Sequence, residues 1–299
     1  MSKIVIVGGV AGGATAAARL RRLDEKAEII VIERTGFVSY ANCGLPYYVG
    51  GVIEDQDDLT LQSPQSFFSR FNIDVRVSSE VTSIDRANKT VTVFSFDEGR
   101  EYVESYDKLI LSPGARPTRP ALPGVGLDRL FTLRTVEDTF AMKEFIDREH
   151  PRSAVVCGGG FIGLEVAENL RELGLDVTIV QRPRHLMNPF DADAAALIHQ
   201  EMRAHGVHLA LGRSVEGFEE RDGGIDVLVA GEEPLRADMV VLAIGVTPDT
   251  ALAEATGLET GIKGSIVVND RMETGVEDIY AVGDAVQISH LVTGDDALI

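Results

Sequence analysis

One cysteine stands in a segment that suits a reactive thiol better than a buried one. Cys43 lies in the stretch YANCGLPYYVGG, between Asn42 and Gly44 and shortly before Pro46. A structural thiol usually sits in an apolar strand, whereas these polar and flexible neighbours predict an exposed side chain at a loop-to-helix junction. Unpaired backbone N–H groups and the dipole at a helix start favour the thiolate, and Gly44 is expected to leave room for a substrate sulfur. Cys43 is therefore the candidate nucleophile.

The second cysteine has a different setting. Cys157 ends an apolar strand pattern and is predicted to be a small buried residue. The two cysteines form no C-x-x-C pair and no zinc spacing, and a disulfide scaffold of this size needs more of them. The histidines are scattered and no HExxH, P-loop or GxSxG motif is present, so no metal site is expected. This cysteine usage fits a reducing cytoplasm.

A glycine-rich turn near the start of the chain predicts a dinucleotide site. It joins KIVIVGG, predicted as a strand, to AGGATAAARLRRL, predicted as a helix, and EIIVIER follows as the next strand. In such a βαβ unit Gly8 allows the tight turn, Gly13 allows close helix packing, and the helix start binds a pyrophosphate. Glu33 follows Gly13 by about 20 residues, where a carboxylate accepts ribose hydroxyls. Val10 departs from the pattern, because it occupies the position of the second fingerprint glycine.

The same pattern returns about 150 residues later, in SAVVCGGG, FIGLEVAENLRELG and DVTIVQR. Here Gly158, Gly160 and Gly163 match the fingerprint in full. Gln181 replaces the acidic residue and is followed by Arg182 and Arg184. A neutral Gln can bond a 2'-hydroxyl and a guanidinium can pair with a 2'-phosphate, so the residues leave NADH and NADPH open.

The repeat sets the predicted domain organisation. The segment Ser112–Gly126 is rich in Pro and Gly and is interpreted as an interdomain crossing, and AIGVTPDT, from Ala243, as the return crossing. The fold class is α/β, with two Rossmann-like dinucleotide-binding domains, the second inserted in the first. The predicted bounds are 1–117 and 246–299 for the first domain and 118–245 for the second.

Length and charge narrow the range of partners. The 299 residues exceed the usual size of one core, and with 44% hydrophobic residues the chain can bury two. A net charge of -19 argues against nucleic acid and anionic membrane surfaces, so an anionic ligand needs a local basic patch. No apolar run approaches the roughly 20 residues that a membrane-spanning helix needs.

Five stretches resemble the pyridine nucleotide-disulfide oxidoreductases, and within them the single-cysteine branch of coenzyme A disulfide reductases and persulfide reductases. They are FVSYANCGLPYYVGG, YDKLILSPGARP, FTLRTVEDT, ADMVVLAIGVTPDTALA and TGVEDIYAVGDAV. The resemblance implies that the first domain binds FAD and the second NAD(P)H. It further implies that electrons pass through the flavin to a mixed disulfide between Cys43 and a small disulfide, persulfide or polysulfide of the coenzyme A type.

The glycine turns and the resemblance together give a set of candidate binding residues. Those expected to contact FAD or NAD(P)H are Gly8, Val10, Ala11, Gly12, Gly13, Glu33, Arg34, Asn42, Val81, Ser112, Gly114, Gly158, Gly160, Phe161, Ile162, Gly163, Glu165, Gln181, Gly245, Gly283 and Asp284. Those expected to contact the coenzyme are Thr15, Arg19, Arg22, Ser39 and Asn42. The first three recur at i, i+4 and i+7 and share one helix face, which supplies the local basic patch.

Two other readings stay open. An NADH oxidase or peroxidase of the same family is the alternative enzyme. Val10 argues against it, because relatives that reduce oxygen or peroxide carry a histidine at this place in the first glycine turn. Relatives also continue for another domain after the AVGDA segment, and that domain forms a homodimer and completes the active site. This chain stops at Ile299, so the resemblance implies that the dimerisation domain is absent from it, which leaves a non-catalytic FAD- and NAD-binding redox module as a second alternative.

Overall fold

The computed structural model describes residues 2–298, and its chain divides into two compact units. The first unit contains the residues up to Tyr40, Thr60–Arg116 and those from Thr247 onward, and the second contains Ala41–Leu59 and Pro117–Val246. Each unit has a central parallel sheet with helices, which confirms the predicted α/β class with two Rossmann-like folds. The segment Ala41–Leu59 groups with the second unit, whereas the sequence-based bounds include it in the first domain.

A five-stranded parallel sheet forms the centre of the first unit. In spatial order its strands are β19 (Ile279–Ala281), β7 (Lys108–Leu111), β1 (Lys3–Val7), β2 (Glu28–Ile32) and β3 (Asp74–Arg76). Val5 of β1 pairs with Ile30 of β2 on one side and with Leu109 of β7 on the other. The continuous apolar runs of these strands suit a sheet that is covered on both faces. β1 ends at Val7, before the predicted Gly9, because Gly8 turns the chain with a φ of +94°.

The other elements of the first unit cover and extend this sheet. They are the helices α1 (Ala11–Leu23), α3 (Pro64–Phe71) and α7 (Ala251–Ala255), the antiparallel strands β4 (Ser79–Asp85), β5 (Thr90–Ser95) and β6 (Arg100–Ser105), and the three-stranded sheet of β18 (Ile266–Val267), β20 (Val286–Ser289) and β21 (Asp296–Leu298).

Alternate side chains of the central sheet belong to two separate apolar clusters. Val5 and Ile30 belong to one of them, and Ile6 belongs to the other together with Ala14 and Ala17 of α1. Alanines on the buried face of α1 let the helix lie close to the sheet. This packing fixes the start of α1 at the carboxyl end of β1.

The second unit repeats the arrangement with its own five-stranded parallel sheet. In spatial order its strands are β12 (His208–Leu211), β11 (Asp176–Gln181), β10 (Ser153–Cys157), β16 (Met239–Leu242) and β9 (Leu130–Phe131). Val155 of β10 pairs with Thr178 of β11 and with Val240 of β16. In both units the strand before the glycine turn lies between the next strand of its βαβ unit and a strand that comes later in the chain: β1 lies between β2 and β7, and β10 between β11 and β16. This strand order opens a crevice for a ligand at the carboxyl edge of the sheet.

The remaining elements of the second unit are helices and one antiparallel sheet. They are α2 (Leu45–Val49), α4 (Val136–Glu149), α5 (Phe161–Glu172), α6 (Ala192–Ala204), and the strands β13 (Val215–Arg221), β14 (Gly224–Val229) and β15 (Leu235–Ala237). The short helix α2 packs against both α4 and α5. The ring of Tyr48 on α2 lies 5.8 Å from the ring of Phe140 on α4, centroid to centroid.

Two short strands mark the places where the chain passes from one unit to the other. β8 (Ala115–Pro117) and β17 (Val246–Pro248) pair in a two-stranded sheet. Both lie in the segments that the sequence analysis singled out for their Pro and Gly content. None of the helices in residues 2–298 combines the length and the apolar character that a bilayer crossing requires.

Candidate functional site

The first glycine turn brings the end of β1 and the start of α1 into close contact. A Cβ atom on Gly13 would lie 1.8 Å from the carbonyl oxygen of Gly8, and a Cβ on Gly8 would lie 2.0 Å from that of Ser112. Neither residue tolerates a side chain, which agrees with the roles that the fingerprint assigns to them. The turn therefore places the N-terminal N–H groups of α1 at the carboxyl edge of the sheet.

Glu33, directly after β2, is anchored within this edge. It is 6% exposed, and its Oε2 accepts a 2.7 Å hydrogen bond from the backbone N–H of Gly9. Its Oε1 accepts 2.9 Å bonds from the backbone N–H and from the hydroxyl of Thr35. A carboxylate that accepts these three hydrogen bonds has a fixed orientation, with lone pairs left for further donors.

The neighbouring strands complete the carboxyl edge of the first unit. Ser112 follows β7, and its Oγ would lie 2.6 Å from a Cβ on Gly12 and 3.5 Å from one on Gly283. Asp284 follows β19 in a 3-10 turn over Gly283–Ala285 and is exposed. The structure thus brings together predicted cofactor residues from β1, β2, β7 and β19 at one edge.

The two helices that follow the glycine turns begin without side-chain caps. α1 and α5 have no capping hydrogen bond and no acidic residue in the first turn. α3 and α4, in contrast, begin with complete capping boxes, from Ser63 with Ser66 and from Thr135 with Asp138. Uncapped N–H groups and a positive helix end fit the phosphates of a dinucleotide. The residues of both glycine turns therefore fit the pyrophosphate of a dinucleotide.

The second glycine turn repeats the geometry of the first. Gly158 has a φ of +115°, and a Cβ there would lie 2.2 Å from the carbonyl oxygen of Ala243. A Cβ on Gly163 would lie 2.0 Å from the carbonyl oxygen of Gly158. Gly160, in contrast, has nothing within 4 Å of an added Cβ. This open space explains how the first turn folds with Val10 at the corresponding position.

The middle glycine of each turn makes matching bonds. Gly159 donates its N–H to Oε1 of Gln181 at 3.0 Å, as Gly9 does to Glu33. The Gly159 carbonyl accepts a 2.7 Å bond from Met187 N–H, and the Gly9 carbonyl a 2.9 Å bond from Ser39 N–H. Sequence analysis missed the two middle glycines, although each stands between a fingerprint glycine and the helix start. The repeat therefore extends beyond the βαβ unit into the loop after its second strand.

The other predicted residues of the second unit cluster around α5. Phe161 begins the helix and is 65% exposed, and Ile162 is half-buried. Glu165 lies one turn along the helix, and burial, together with the charge of Glu168, raises the pKa of its carboxyl group. Gly245 follows β16 at the carboxyl edge of the sheet, with a φ of +111°.

Cys43 occupies the junction that its neighbours predict. It lies in a 3-10 turn over Asn42–Gly44, directly before α2, and its thiol is exposed. Cys157 is buried, and this burial raises the pKa of its thiol to about 12. Of the two thiols, therefore, only that of Cys43 is available for exchange with a dissolved disulfide.

The residues on either side of Cys43, Asn42 and Gly44, define the environment of its thiol. A Cβ on Gly44 would lie 3.2 Å from Cδ1 of Ile53, so its missing side chain faces the protein interior. The expectation that Gly44 leaves space for a substrate sulfur is therefore wrong, because its space is used for packing. Oδ1 of Asn42 is a buried oxygen without a hydrogen-bond partner, the one such side-chain atom in the described residues. An unpaired buried acceptor beside the thiol fits a donor group on a ligand.

The helix α2 is tightly seated on α5. A Cβ on Gly50, at the end of α2, would lie 2.0 Å from Oδ1 of Asn169, a residue that is 2% exposed. Sequence analysis missed this contact, since nothing in the local pattern of either segment indicates it. The fit fixes the position of the Cys43 turn relative to the helix that starts at Phe161.

The predicted basic face of α1 is present. Thr15, Arg19 and Arg22 are exposed, and none of their side chains has a hydrogen bond or ion pair within residues 2–298. The adjacent Arg21 has a structural role instead, because it donates to the carbonyl oxygens of Phe71 at 2.7 Å and of Asn72 at 2.8 Å. Two guanidinium groups therefore remain available for an anion on this face.

Four further predicted residues of the first unit are engaged in its structure. Arg34 donates to Asp249 at 3.0 Å and lies 3.7 Å from Glu80. Val81 is 6% exposed and packs in the core, so its side chain is not available to a ligand. Ser39 has a φ of +52°, and Gly114 follows β7 with a φ of +70°. Within residues 2–298 no group of three or more His, Cys, Asp or Glu side chains is arranged to hold a metal ion.

Comparison with known proteins places this geometry in a family. Residues 2–295 match the pyridine nucleotide-disulphide oxidoreductase family. The chain is 38% identical over 284 residues to coenzyme A disulfide reductase of Staphylococcus aureus, a match that covers 95% of this chain and 63% of the relative. The chain therefore spans less than two thirds of the length of that relative.

Two solved structures are similar along the whole chain. Reduced CoADR-RHD from Bacillus anthracis superposes with a TM-score of 0.96 at 46% identity, covering 100% of this chain and 53% of that one. An NAD-dependent persulfide reductase from A. fulgidus superposes with a TM-score of 0.95 at 36% identity, covering 99% of this chain and 56% of that one. Because the family match extends over residues 2–295, a range that includes both glycine turns and the cysteine segment, the chain belongs to the pyridine nucleotide-disulphide oxidoreductase family.

Proposed function

We propose that the protein is a flavoprotein reductase that passes electrons from NAD(P)H through FAD to Cys43, where coenzyme A disulfide or a related small disulfide, persulfide or polysulfide is reduced. The main observation behind this proposal is that the thiol of Cys43, directly before α2, is exposed, whereas the thiol of Cys157 is buried. Similarity to a coenzyme A disulfide reductase and to a persulfide reductase supports the substrate class.

The two glycine turns hold the two cofactors. The edge formed by Gly8, Glu33, Ser112 and Asp284 binds FAD in the first unit, and Glu33 is oriented to accept ribose hydroxyls. The turn from Gly158 binds NAD(P)H in the second unit. When bound, NAD(P)H and FAD supply the hydride and electron transfer that side chains alone do not provide. The chain itself binds and orients these groups.

Cys43 supplies the sulfur chemistry. Its thiolate attacks one sulfur of the substrate disulfide, a mixed disulfide forms, and the other half leaves as a thiolate. Two electrons then cleave the mixed disulfide and restore the Cys43 thiolate, and two protons convert both substrate halves to thiols. With the thiol of Cys157 buried, the second sulfur of the cycle comes from the substrate and not from the protein.

The coenzyme is recognised by a local basic patch on an acidic chain. The net charge of -19 repels a phosphorylated substrate from most of the surface, whereas Arg19 and Arg22 present two guanidinium groups on one exposed face. Thr15 adds a hydroxyl donor on the same face. Ser39 and Asn42 contact the arm of the coenzyme that carries the thiol. Because a free redox thiol needs a reducing setting, we propose that the enzyme acts in the cytoplasm. By analogy with the family, we propose that it works as a homodimer.

Anaerobic stopped-flow spectroscopy of the flavin-containing protein tests this proposal. The protein is reduced with NADH or NADPH and mixed in separate experiments with coenzyme A disulfide, coenzyme A persulfide and oxygen. Fast flavin reoxidation by a coenzyme A species that disappears in Cys43→Ser, and persists in the control Cys157→Ala, supports the proposal. Reoxidation by oxygen alone indicates an NADH oxidase instead. A bound flavin that neither nucleotide reduces indicates a non-catalytic redox module.

A further inference from the structure

The loop after β11 is bound to the glycine turn of the second unit. Met187 N–H donates to the Gly159 carbonyl at 2.7 Å, and Gly159 N–H donates to Oε1 of Gln181 at 3.0 Å. The side chain of Leu186 is fully buried against the same glycine, since a Cβ on Gly159 would lie 2.3 Å from its Cδ2. A change in the position of Leu186 and Met187 therefore displaces the turn that holds the nucleotide in the proposed function.

The first unit uses the same pair of contacts. A Cβ on Gly9 would lie 2.7 Å from Cγ2 of Val38, and the Gly9 carbonyl accepts the N–H of Ser39. Ser39 and Met187 both have a left-handed backbone, with φ values of +52° and +49°. A residue with a side chain keeps this conformation where the surrounding contacts hold it. The shape of the loop at Met187 consequently depends on the bonds on either side of it.

One of these bonds is to a histidine on α6. Nε2 of His199 accepts the backbone N–H of Leu186 at 3.0 Å. A backbone N–H only donates, so Nε2 carries a lone pair and the ring is neutral, with its proton on Nδ1. His185, in contrast, donates from Nδ1 to the Leu186 carbonyl at 2.9 Å, a bond that a neutral and a protonated ring can both make. Protonation therefore breaks the bond to His199 and leaves the N–H of a buried residue without this acceptor.

The charged groups around His199 oppose its protonation. On α6, the positions three and four residues away are 195, 196, 202 and 203, and Arg203 is the charged residue among them. The charged or titratable groups of the elements packed at this place are Arg203 on α6, Arg182, Arg184 and His185 in the loop, and His208 on β12. Residues 181–190 contain no Asp or Glu. The ring of His208 is exposed and lies 3.3 Å from a carboxylate oxygen of Asp176.

The pKa of His199 follows from these surroundings. Burial of the ring, and then the charges of Arg203 and His185, lower its pKa from the ordinary value of 6.5. The folded chain therefore binds this proton less readily than the unfolded chain. The resulting stabilisation is complete above about pH 6.5 and is lost as the pH falls through the lowered pKa.

We propose, on the basis of the proposed function, that His199 is a positioning residue for NAD(P)H. Its neutral ring holds Leu186 and Met187 on the nucleotide turn, and its protonation releases them and weakens the binding of the nucleotide. The ring acts through the loop, because its bond is to the backbone of Leu186. The supply of electrons from the nucleotide then falls on acidification. The glycine turn of the first unit contains no part of this arrangement, so flavin retention is expected to stay unchanged.

Calorimetric binding of ADP-ribose to the flavin-loaded protein measures this effect without turnover. ADP-ribose carries no nicotinamide and no phosphate monoester, so the probe keeps its charge between about pH 5 and about pH 7.5. We expect the affinity of the parent to fall about threefold or more from the upper to the lower pH. His199→Gln offers an amide oxygen to the same N–H and does not titrate. It is expected to match the parent at about pH 7.5 and to lose less than about twofold in affinity at about pH 5.

Two further variants make the test specific. His199→Ala leaves the Leu186 N–H without an acceptor and is expected to weaken binding about tenfold already at about pH 7.5. His208→Gln removes an exposed imidazole from β12 and is expected to keep the pH profile of the parent. The same pH profile in the parent and in His199→Gln, or full affinity of His199→Ala, overturns the inference while the nucleotide site stands. A parent that does not bind ADP-ribose at about pH 7.5 overturns the nucleotide site of the proposed function as well.

Discussion

The glycine that packs α1 against β1 offers a direct test of the nucleotide-turn geometry. In Gly13→Ala the new Cβ would lie 1.8 Å from the carbonyl oxygen of Gly8, whereas real Cβ contacts do not fall below 3.0 Å. This oxygen belongs to the backbone directly after a central strand and cannot move aside, so α1 must move as a unit. Overpacking of this kind costs about 2 to 3 kcal/mol of unfolding free energy, well above the gain from the better helix propensity of Ala. In Gly163→Ala the new Cβ would lie 2.0 Å from the carbonyl oxygen of Gly158, so we predict the same loss of stability in the second unit.

Two measurements test this loss of stability: the melting temperature and the amount of cofactor that the protein retains. A loss of about 2 to 3 kcal/mol lowers the melting temperature by roughly 5 to 10 °C in a protein of this size class. The matched control is Gly160→Ala, which changes the same residue type in the same motif where nothing lies within 4 Å of the new Cβ. Its melting temperature is expected to stay within about 2 °C of the parent. We also expect Gly13→Ala to lose bound flavin and still to bind ADP-ribose. Gly163→Ala is expected to keep its flavin and to lose the binding of ADP-ribose.

Equal stability of Gly13→Ala and Gly160→Ala would refute this reasoning, because the first change is steric and the second is not. Flavin loss from Gly163→Ala with full retention in Gly13→Ala would refute the assignment of the cofactors to the two turns, even if both melting temperatures fell as expected.

Three other outcomes follow from the buried groups. Glu33→Ala is expected to lower the free energy of unfolding by about 1 to 3 kcal/mol and to weaken flavin binding, because the N–H groups of Gly9 and Thr35 lose their acceptor. Glu33→Gln keeps an acceptor and is expected to lose less stability. Denaturant titration of the two variants measures the difference. In the folded protein a water-soluble alkylating reagent should modify Cys43 within minutes and Cys157 only after denaturation, as peptide mass spectrometry would show. Burial raises the Cys157 pKa from 9.0 to about 12, so the folded state holds a proton that the unfolded chain releases. Stability should therefore fall between these pH values by up to about 1.4 kcal/mol per pH unit relative to Cys157→Ala, and parallel pH profiles of parent and variant would contradict this.

The βαβ units could be predicted from the sequence because their signals are local. The continuous apolar runs before Gly8 and Gly158, and the helical patterns after Gly13 and Gly163, depend only on neighbouring residues, and the observed helices begin where they were predicted. The exposure of Cys43 followed in the same way from its immediate neighbours.

Contacts between distant segments could not be predicted in this way. The fit of Gly50 against Asn169 joins residues with no shared local pattern, and only the folded chain shows it. The misjudged role of Gly44 has the same origin, since its neighbour Ile53 reaches it through the turn after α2. Local patterns likewise gave no reason to separate Arg21, which ties α1 to the end of α3, from the exposed arginines on either side of it.

The strand order of the first unit has a consequence for synthesis on the ribosome. β19 is the last strand of the central sheet in the sequence and pairs with β7, which is made long before it. The larger part of the second unit, Pro117–Val246, lies between them in the chain, so these residues leave the ribosome before β19 does, while β7 remains an open sheet edge. An apolar edge of this kind is a template for pairing with other chains. Nascent chains arrested before Ile279 are therefore the species on which chaperone protection should matter most.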